Sequence, residues 1–292
     1  MCQKILSFFL SIIMCILNFF GIPLNKNEIR KFEEVSYGSH ERHTLNLHLP
    51  AGKKETGLVL MIHGGAWIGG DKAEFNAKLE EISEMGYAAA AVNYRYISDD
   101  VDLIDIMDDL QAATEKIKNI GKENGVDING MVLTGGSAGG HLSLLYAYSR
   151  DRVSAIRPAA VISYCGPTDL SDDAYYFDNG IGDEEYVAQV LSWACGYKHT
   201  FATRADAKEA LWNVSPLKYV DENTVPTVIN HGMVDDIVPF ANAEALNLKL
   251  TELGIAHEFN AYPNSGHGLF EDAENVAKAD KLYYEYIRTY LG

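Results

Sequence analysis

A serine, an aspartate and a histidine stand in the order and the surroundings that nucleophilic acyl transfer requires. Ser137 lies in the Gly-x-Ser-x-Gly pattern of residues 135–139, between an apolar run and a helical segment. A sharp strand-to-helix turn of this kind exposes the hydroxyl above the edge of a sheet, and the glycines let strand and helix approach closely. Because a serine hydroxyl is a weak nucleophile at neutral pH, it needs a histidine base and a carboxylate that orients the base.

The candidate acid and base each follow a strand-like segment downstream of Ser137. Asp235 follows residues 225–229, and His267 follows residues 255–262 in a loop with glycine on both sides. The chain has nine histidines, and the order serine, acid, histidine favours His267 as the base. Asp236 adjoins Asp235, and only one of the two carboxylates can face the histidine.

A glycine-rich loop supplies candidate donors for the negative charge that develops in acyl transfer. The first continuous apolar run ends in residues 63–67, His-Gly-Gly-Ala-Trp, where glycines leave backbone N–H groups uncovered. We expect an oxyanion hole from the amides of Ala138, Gly65 and Ala66, with Gly64 as a further candidate. A plain tight turn is the alternative. A phosphate-binding loop is excluded because the Gly-x-x-x-x-Gly-Lys-Ser/Thr spacing is absent.

The elements that must position these loops alternate between strand and helix. Continuous apolar runs, typical of strands covered on both faces, occupy residues 57–62, 87–92, 131–134, 159–163 and 225–229. Apolar residues at helical spacing follow the first two runs, and these two patterns stop at Gly86 and Gly121. This order predicts an α/β fold with a mainly parallel, doubly wound sheet, whose chemistry lies beyond the carboxyl ends of the strands. The alternating segment Thr44–Leu49 predicts an exposed edge strand.

Length and composition fit one or two globular domains with a sizeable core. The 292 residues are 47% hydrophobic and 22% charged, which is ordinary for a folded enzyme or binding domain. With 24 basic and 41 acidic residues, the net charge is −17. A charge of this sign repels phosphates, so we expect no nucleic-acid partner.

The N-terminal segment departs from the average composition. Residues 5–20 are almost all apolar, with Lys4 in front, and we expect residues 1–24 to be a signal peptide or a membrane anchor. A buried helix fits less well, because the segment is apolar on all sides. The protein is then exported, either secreted or anchored on the outer face of the cytoplasmic membrane. Cys165 and Cys195 are the cysteines of the remaining chain, and either a disulfide or two small buried side chains fits them.

Together these motifs resemble the α/β-hydrolases, in the branch that is similar to hormone-sensitive lipase. Within that branch the chain is similar to bacterial acetylesterases and to feruloyl or acetylxylan esterases. The resemblance runs from about His43 to the C-terminus. Residues 231–239 read His-Gly-x-x-Asp-x-x-Val-Pro, and the resemblance implies that Asp235, not Asp236, is the acid.

The donor loop departs from the lipase pattern at one point. Ala66-Trp67 stands where the lipase branch has a third glycine, which is more similar to carbohydrate esterases and kynurenine formamidases. The resemblance implies that His63 and Arg95 brace the oxyanion loop and do not act on substrate. Trp67 is the candidate substrate-binding side chain.

A long insertion precedes the strand that leads to Asp235. Residues 170–212 are too many for an ordinary connection and predict a cap within a catalytic domain of residues 25–292. Residues 158–197 contain seven acidic residues and no lysine or arginine, together with several aromatic residues. Rings stack on sugar or phenyl faces and carboxylates accept hydroxyl protons, so we expect a neutral substrate and poor binding of acidic acyl donors. A small core for the cap with a solvated acidic face fits the composition equally well.

The sequence therefore predicts a serine carboxylesterase for short-chain acyl esters, such as acetyl or feruloyl groups, including those carried by carbohydrates. Its partner is a small-molecule ester, and the predicted mechanism needs neither a metal nor an organic cofactor. An amidase or peptidase, such as a kynurenine formamidase, is the alternative with the same three residues. A non-catalytic binding module is disfavoured, because the serine, the acid, the base and the donor loop are all present.

Overall fold

The apolar runs form an eight-stranded sheet in the part of the chain that the structure describes. The computed structural model describes residues 28–172, 185–201 and 204–292. The strands are β1 (Arg30–Ser36), β2 (Thr44–Leu49), β3 (Glu55–Ile62), β4 (Ala88–Val92), β5 (Asp127–Gly136), β6 (Pro158–Tyr164), β7 (Thr227–Gly232) and β8 (His257–Tyr262). Their order is β1-β2-β4-β3-β5-β6-β7-β8. Strands β1, β2 and β4 pair antiparallel and the other pairs are parallel, which confirms the predicted α/β class.

Helices cover both faces of this sheet. They are α1 (Asn76–Glu84), α2 (Leu103–Glu123), α3 (Ala138–Ser149), α4 (Glu185–Ala194), α5 (Arg204–Asn213), α6 (Phe240–Glu252) and α7 (Ala273–Leu291), with short 3-10 turns at Lys72–Phe75 and Pro216–Tyr219. Alternate residues of β3 point to opposite sides. Leu58 and Leu60 belong to the core that includes residues of α2, α3 and α6, whereas Val59 and Met61 belong to a second core with residues of α1 and α7. Burial on both faces explains why the central strands are apolar without alternation.

Strand β2 is not the exposed edge strand that its alternation predicts. β1 takes the edge and pairs with β2, and the polar residues Asn46 and His48 of β2 are each only 5% exposed. Asn46 accepts a hydrogen bond from the backbone N–H of Glu34 at 3.0 Å and donates one to Asn76 at 3.1 Å. The alternation therefore reflects hydrogen bonding beneath α1, and β1 itself is too polar to be recognised as a strand.

Helix α2 continues past its predicted stop at Gly121 and ends at Glu123. The glycine serves close packing, because a Cβ at this position would lie 2.8 Å from the carbonyl oxygen of Val126. The N–H of Val126 donates to the carbonyl of Gly121 at 2.8 Å, and this bond returns the chain towards β5.

Two predicted segments lie wholly or partly outside the described residues. The predicted signal peptide or anchor, residues 1–24 with the apolar stretch 5–20, is one of them and stays a prediction. Among the described helices, none has the length and apolar character needed to cross a membrane. The predicted cap, residues 170–212, is described only in part and contains α4 and most of α5.

The two cysteines of the folded part are free thiols. Cys165 is buried and Cys195 is partly buried. Of the two interpretations that the sequence allows, the structure agrees with small buried side chains and not with a disulfide.

We expect the close approach of α3 to β3 to depend on the missing side chain of Gly139. A Cβ at Gly139 would overlap the carbonyl oxygen of Ile62 and lie 2.8 Å from that of His63. Overpacking of this kind should lower the free energy of unfolding of Gly139→Ala by about 2–3 kcal/mol in urea denaturation. Gly130→Ala is the matched control, because its Cβ would be 3.9 Å from the nearest atoms and should change stability by less than about 1 kcal/mol. Equal losses in the two variants would contradict this explanation.

Candidate active site

Ser137 occupies a strained turn between β5 and α3. Its backbone has φ 54° and ψ −124°, a positive φ that non-glycine residues seldom adopt. The N–H of Ser137 donates to the carbonyl of Tyr164 at 2.8 Å. Space beside the turn is tight, since a Cβ at Gly140 would lie 2.8 Å from Oγ of Ser163. Ala138 opens α3, and the first N–H groups of a helix have no intrahelical acceptor.

A buried carboxylate holds the candidate base. Nδ1 of His267 lies 2.8 Å from Oδ2 of Asp235, whose side chain is fully buried beside a histidine that is 21% exposed. The other carboxylate oxygen accepts the backbone N–H groups of Ile237 and Val238, each at 2.9 Å. Burial pushes the pKa of Asp235 up, but the hydrogen bonds from His267 and these two amides bring it below its ordinary value. The carboxylate is therefore ionised at neutral pH.

Two neighbours of Asp235 in the chain, Asp236 and His231, lie in different environments. Asp236 is exposed, as expected for the aspartate that does not face the base. His231 is buried, and its Nε2 lies 2.9 Å from the carbonyl oxygen of Val238. Burial lowers the pKa of His231, so a neutral ring donates this bond and stiffens the loop that carries Asp235.

Ser137 and His267 line the same cavity, which has a volume of about 320 Å³. Within the described ranges no hydrogen bond joins the Ser137 hydroxyl to the His267 ring, and such bonds are often long until substrate is bound. A larger cavity of about 610 Å³ has charged walls that include Arg42, Asp71 and Lys72. Neither Ser137 nor His267 lines it, so we place the chemistry in the smaller cavity.

The predicted donor loop lies directly beside Ser137. A Cβ at Gly64 would be 3.6 Å from the Cβ of Ser137. Three consecutive residues of the loop have positive φ, namely Gly65 at 102°, Ala66 at 50° and Trp67 at 61°. This unusual backbone turns successive peptide groups through a tight curve, a conformation in which N–H groups can converge on an anion. The role of these amides stays a prediction.

His63 fixes the start of the donor loop. Its ring stacks on Tyr94 with 4.2 Å between ring centroids, and Nδ1 lies 2.8 Å from the carbonyl oxygen of Gly64. Nε2 lies 3.2 Å from a guanidinium nitrogen of Arg42, so the ring donates through Nδ1 and accepts through Nε2. Burial lowers the pKa of His63 to about 4, which keeps the ring neutral at physiological pH.

Arg42 takes the bracing position that the resemblance implies for Arg95. Arg95 instead pairs with Asp109 of α2, with 2.7 Å between Nη2 and Oδ1, and that implied role is wrong. Arg42 donates to the carbonyl oxygens of Tyr94 at 2.8 Å and Gly70 at 3.2 Å. No motif surrounds Arg42 in the sequence. The residue lies near the donor loop only in the folded sheet, where β2 pairs with β4.

Trp67 is not among the described residues that line the cavity, and its assignment as a substrate-binding residue stays a prediction. Its indole is 3% exposed, and Nε1 donates to Nδ1 of His141 at 3.3 Å. Nε2 of His141 in turn lies 2.9 Å from the carbonyl oxygen of Val214. Trp67 thus links the donor loop to α3 and to the residue that follows α5. The sequence places an aromatic residue in the loop but does not fix the direction of its ring.

Cys165 is a site neighbour that the sequence analysis missed. Its Sγ, a carboxylate oxygen of Asp235 and a ring nitrogen of His267 all lie within 4.8 Å of one another. Burial and the charge of Asp235 raise the pKa of Cys165 to about 12, so the group is a thiol. Metal binding requires a thiolate, and Asp235 and His267 already bond to each other, so the cluster is poorly suited to a cation. Its position directly after β6 is the signal that could have revealed it.

The buried imidazole of His141 makes folding stability depend on pH. Burial lowers its pKa from 6.5 to about 4, so below pH 6.5 the unfolded chain binds a proton that the folded protein does not. Stability that is complete above pH 6.5 is therefore lost as the pH falls towards 4, at about 1.4 kcal/mol per pH unit. We expect His141→Gln to reduce the slope of unfolding free energy against pH by this amount between pH 6 and 4.5, measured by urea denaturation.

Above pH 7.5 the difference in stability between wild type and His141→Gln should be constant, which serves as the internal control. The contribution of His63 is present in both proteins and cancels. Parallel slopes between pH 6 and 4.5 would contradict a neutral buried His141.

Comparison with known proteins agrees with this architecture. The chain matches the BD-FAE family over residues 45–250. It is similar to the "Uncharacterized peptidase YuxL" of Bacillus subtilis, with 26% identity over 86% of this chain and 38% of that protein. "Esterase LipQ" of Mycobacterium tuberculosis is 26% identical over 80% of this chain and 55% of that protein. The chain thus spans about half, or less, of the length of these curated relatives.

A solved structure shares the fold. A truncated form of a carbohydrate esterase from gut microbiota superimposes with a TM-score of 0.73 and 22% identity, covering 91% of this chain and 99% of the other. Esterase B from Lactobacillus Rhamnosis (HN001) gives a TM-score of 0.68 with 20% identity, covering 97% of this chain and 93% of the other. The family match spans more than half of the sequence, and the chain therefore belongs to the BD-FAE family, with an α/β-hydrolase fold.

Proposed function

We propose that the protein is a serine carboxylesterase that cleaves short-chain acyl esters through an acyl-enzyme intermediate. The observation that carries the proposal is the 2.8 Å contact of His267 with the buried carboxylate of Asp235, at a cavity that His267 shares with Ser137. A relative named as an esterase supports ester hydrolysis as the reaction.

The first half of the reaction transfers the acyl group to Ser137. Oγ attacks the ester carbonyl carbon while Nε2 of His267 takes the hydroxyl proton. The carbonyl oxygen becomes an oxyanion that accepts hydrogen bonds from the N–H groups of Ala138, Gly65 and Ala66. When the intermediate collapses, the bond to the alcohol oxygen breaks and His267 gives its proton to that oxygen.

The second half returns Ser137 to its starting state. Water donates a proton to His267 and attacks the acyl carbon, and the same amides hold the second oxyanion. The carboxylic acid leaves as Ser137 regains its proton. Throughout, the ionised carboxylate of Asp235 fixes the imidazole through Nδ1 and stabilises its protonated form, which is what its lowered pKa permits.

The proposed substrate class rests on the charge of the chain and on a structural neighbour. We propose acetyl or feruloyl esters, including those on carbohydrates, because the acidic chain repels anionic substrates and a structural neighbour is named a carbohydrate esterase. A second candidate is an amidase or peptidase, since another relative is named a peptidase and the same three residues act on amides. Faster turnover of N-formylkynurenine than of acetylated xylo-oligosaccharides and feruloyl esters would favour the amidase.

Substitution of the nucleophile tests the proposal. We expect Ser137→Ala to reduce kcat for p-nitrophenyl acetate by at least about 10⁴-fold, because Ser137 is the only serine among the described residues that line the cavity, while circular dichroism stays unchanged. Ser149→Ala is the matched control in the same turn-and-helix unit. Its hydroxyl donates to the carbonyl of Leu145 at 2.6 Å, away from the cavity, and it should keep full activity. Substantial activity in Ser137→Ala would refute the mechanism.

A further inference from the structure

The cavity at Ser137 extends as a groove between the His267 loop and helix α7. Its volume is about 320 Å³. Beyond Ser137 and His267, the groove is lined by side chains from β6, β8, the loop after His267 and the first half of α7, namely Tyr164, Tyr262, Leu269, Phe270, Val276 and Asp280. The groove therefore combines apolar walls with two phenols and one carboxylate.

The mechanism decides which part of an ester lies in this groove. His267 gives the proton to the departing alcohol oxygen, so the alcohol must lie on the His267 side of Ser137. Residues 267–270 line the groove, whereas the donor loop, residues 63–67, contributes none of the described lining residues. The groove is thus on the side from which the alcohol leaves, opposite the amides proposed to hold the carbonyl oxygen.

The groove presents an aromatic face at its rim. Phe270 is 83% exposed, which is unusual for a large apolar side chain. An exposed ring beside polar groups suits the flat, partly apolar face of a sugar or a similar cyclic alcohol.

Polar groups face the same space. Asp280 is exposed and forms no ion pair with any described residue, so its carboxylate is available to a ligand. Burial and the charge of Asp280 raise the pKa of Tyr164 above its ordinary value. Burial is the main cause that raises the pKa of Tyr262 to about 12, and the charge of Asp280 raises it as well. Both phenols therefore stay protonated. Tyr262 is 1% exposed and forms part of the wall, whereas Tyr164 is only partly buried and can donate a hydrogen bond, while Asp280 can accept one.

We propose that this groove is the alcohol subsite and that it selects an uncharged, hydroxyl-bearing cyclic alcohol, such as a sugar, over an anionic one. Phe270 packs against the ring of the alcohol, Asp280 accepts a hydroxyl hydrogen bond, and the charge of Asp280 repels carboxylate-bearing alcohols. The inference rests on the proposed function, since only an ester hydrolase has an alcohol subsite.

Three acetate esters with different alcohols test the proposal: acetylated xylose, acetylated glucuronic acid and ethyl acetate. We expect wild type to prefer the xylose ester over the glucuronic acid ester by at least about 10-fold in kcat/KM at low salt, with a smaller preference at high salt. Asp280→Asn should narrow that preference by about 5–10-fold. Phe270→Ala should lower kcat/KM for the xylose ester relative to ethyl acetate by about 5-fold. Both side chains are exposed, so both variants should fold.

Glu252→Gln and Leu248→Ala are the matched controls for charge and apolar area. Both residues lie on α6, with side-chain exposures of 70% for Glu252 and 61% for Leu248, and neither lines the groove. Two kcat/KM ratios, that of the xylose ester to the glucuronic acid ester and that of the xylose ester to ethyl acetate, should both stay at their wild-type values in these controls. Ester hydrolysis by wild type with both ratios unchanged in Asp280→Asn and Phe270→Ala would overturn the subsite but leave the proposed function standing. A wild-type protein that cleaves no ester, p-nitrophenyl acetate included, would overturn both.

Discussion

The backbone of Ser137 is held at φ 54°, and the rest of the site is arranged around that turn. A non-glycine residue in such a conformation costs about 1–3 kcal/mol, so it persists only where packing leaves no alternative. Here β5 enters the turn, α3 leaves it, and glycines at 139 and 140 let α3 approach β3 and β6 more closely than any side chain allows. That close approach is also what brings the donor loop after β3 against the serine.

The donor loop is held from both sides by neutral histidines. On one side His63 links Arg42 to the carbonyl of Gly64, and on the other Trp67 donates to His141. Burial lowers the pKa of both histidines to about 4, so each ring has one donor and one acceptor nitrogen at neutral pH. A protonated ring would lose its acceptor, and the loop would lose a support. The polar groups buried around the site therefore rigidify it because each has a partner of the right kind.

The parallel strands of the sheet explain how the three side chains of the proposed triad come together from distant parts of the chain. Strands β5, β7 and β8 are parallel, and Ser137, Asp235 and His267 follow their carboxyl ends, so all three are delivered to one edge of the sheet. Two backbone amides fix the carboxylate of Asp235 for its contact with His267, and His231 holds the same loop through the carbonyl of Val238.

Most of the central sheet and the order of the site residues could be predicted from the sequence, because doubly covered strands leave long apolar runs. Strand β1 could not be predicted, because Arg30–Ser36 contains four charged residues and its polar and apolar residues do not alternate regularly. The buried position of β2 was hidden because Asn46 is satisfied by hydrogen bonds, which a hydropathy pattern does not record. Side-chain direction accounts for other features that the sequence did not indicate. Neither the inward turn of Trp67 nor the replacement of Arg95 by Arg42 has a signal in local spacing.

The most direct test of the central claim, that Ser137 is a nucleophile activated by His267 and Asp235, is labelling by a fluorophosphonate with the modified peptide identified by mass spectrometry. Attack by an activated serine breaks the P–F bond and forms a stable O–P bond. We expect one adduct on Ser137 in the folded protein, none after denaturation in urea, and labelling of Asp235→Asn slowed by at least about 10³-fold. An adduct on a different serine, or equal labelling of wild type and Asp235→Asn, would contradict it.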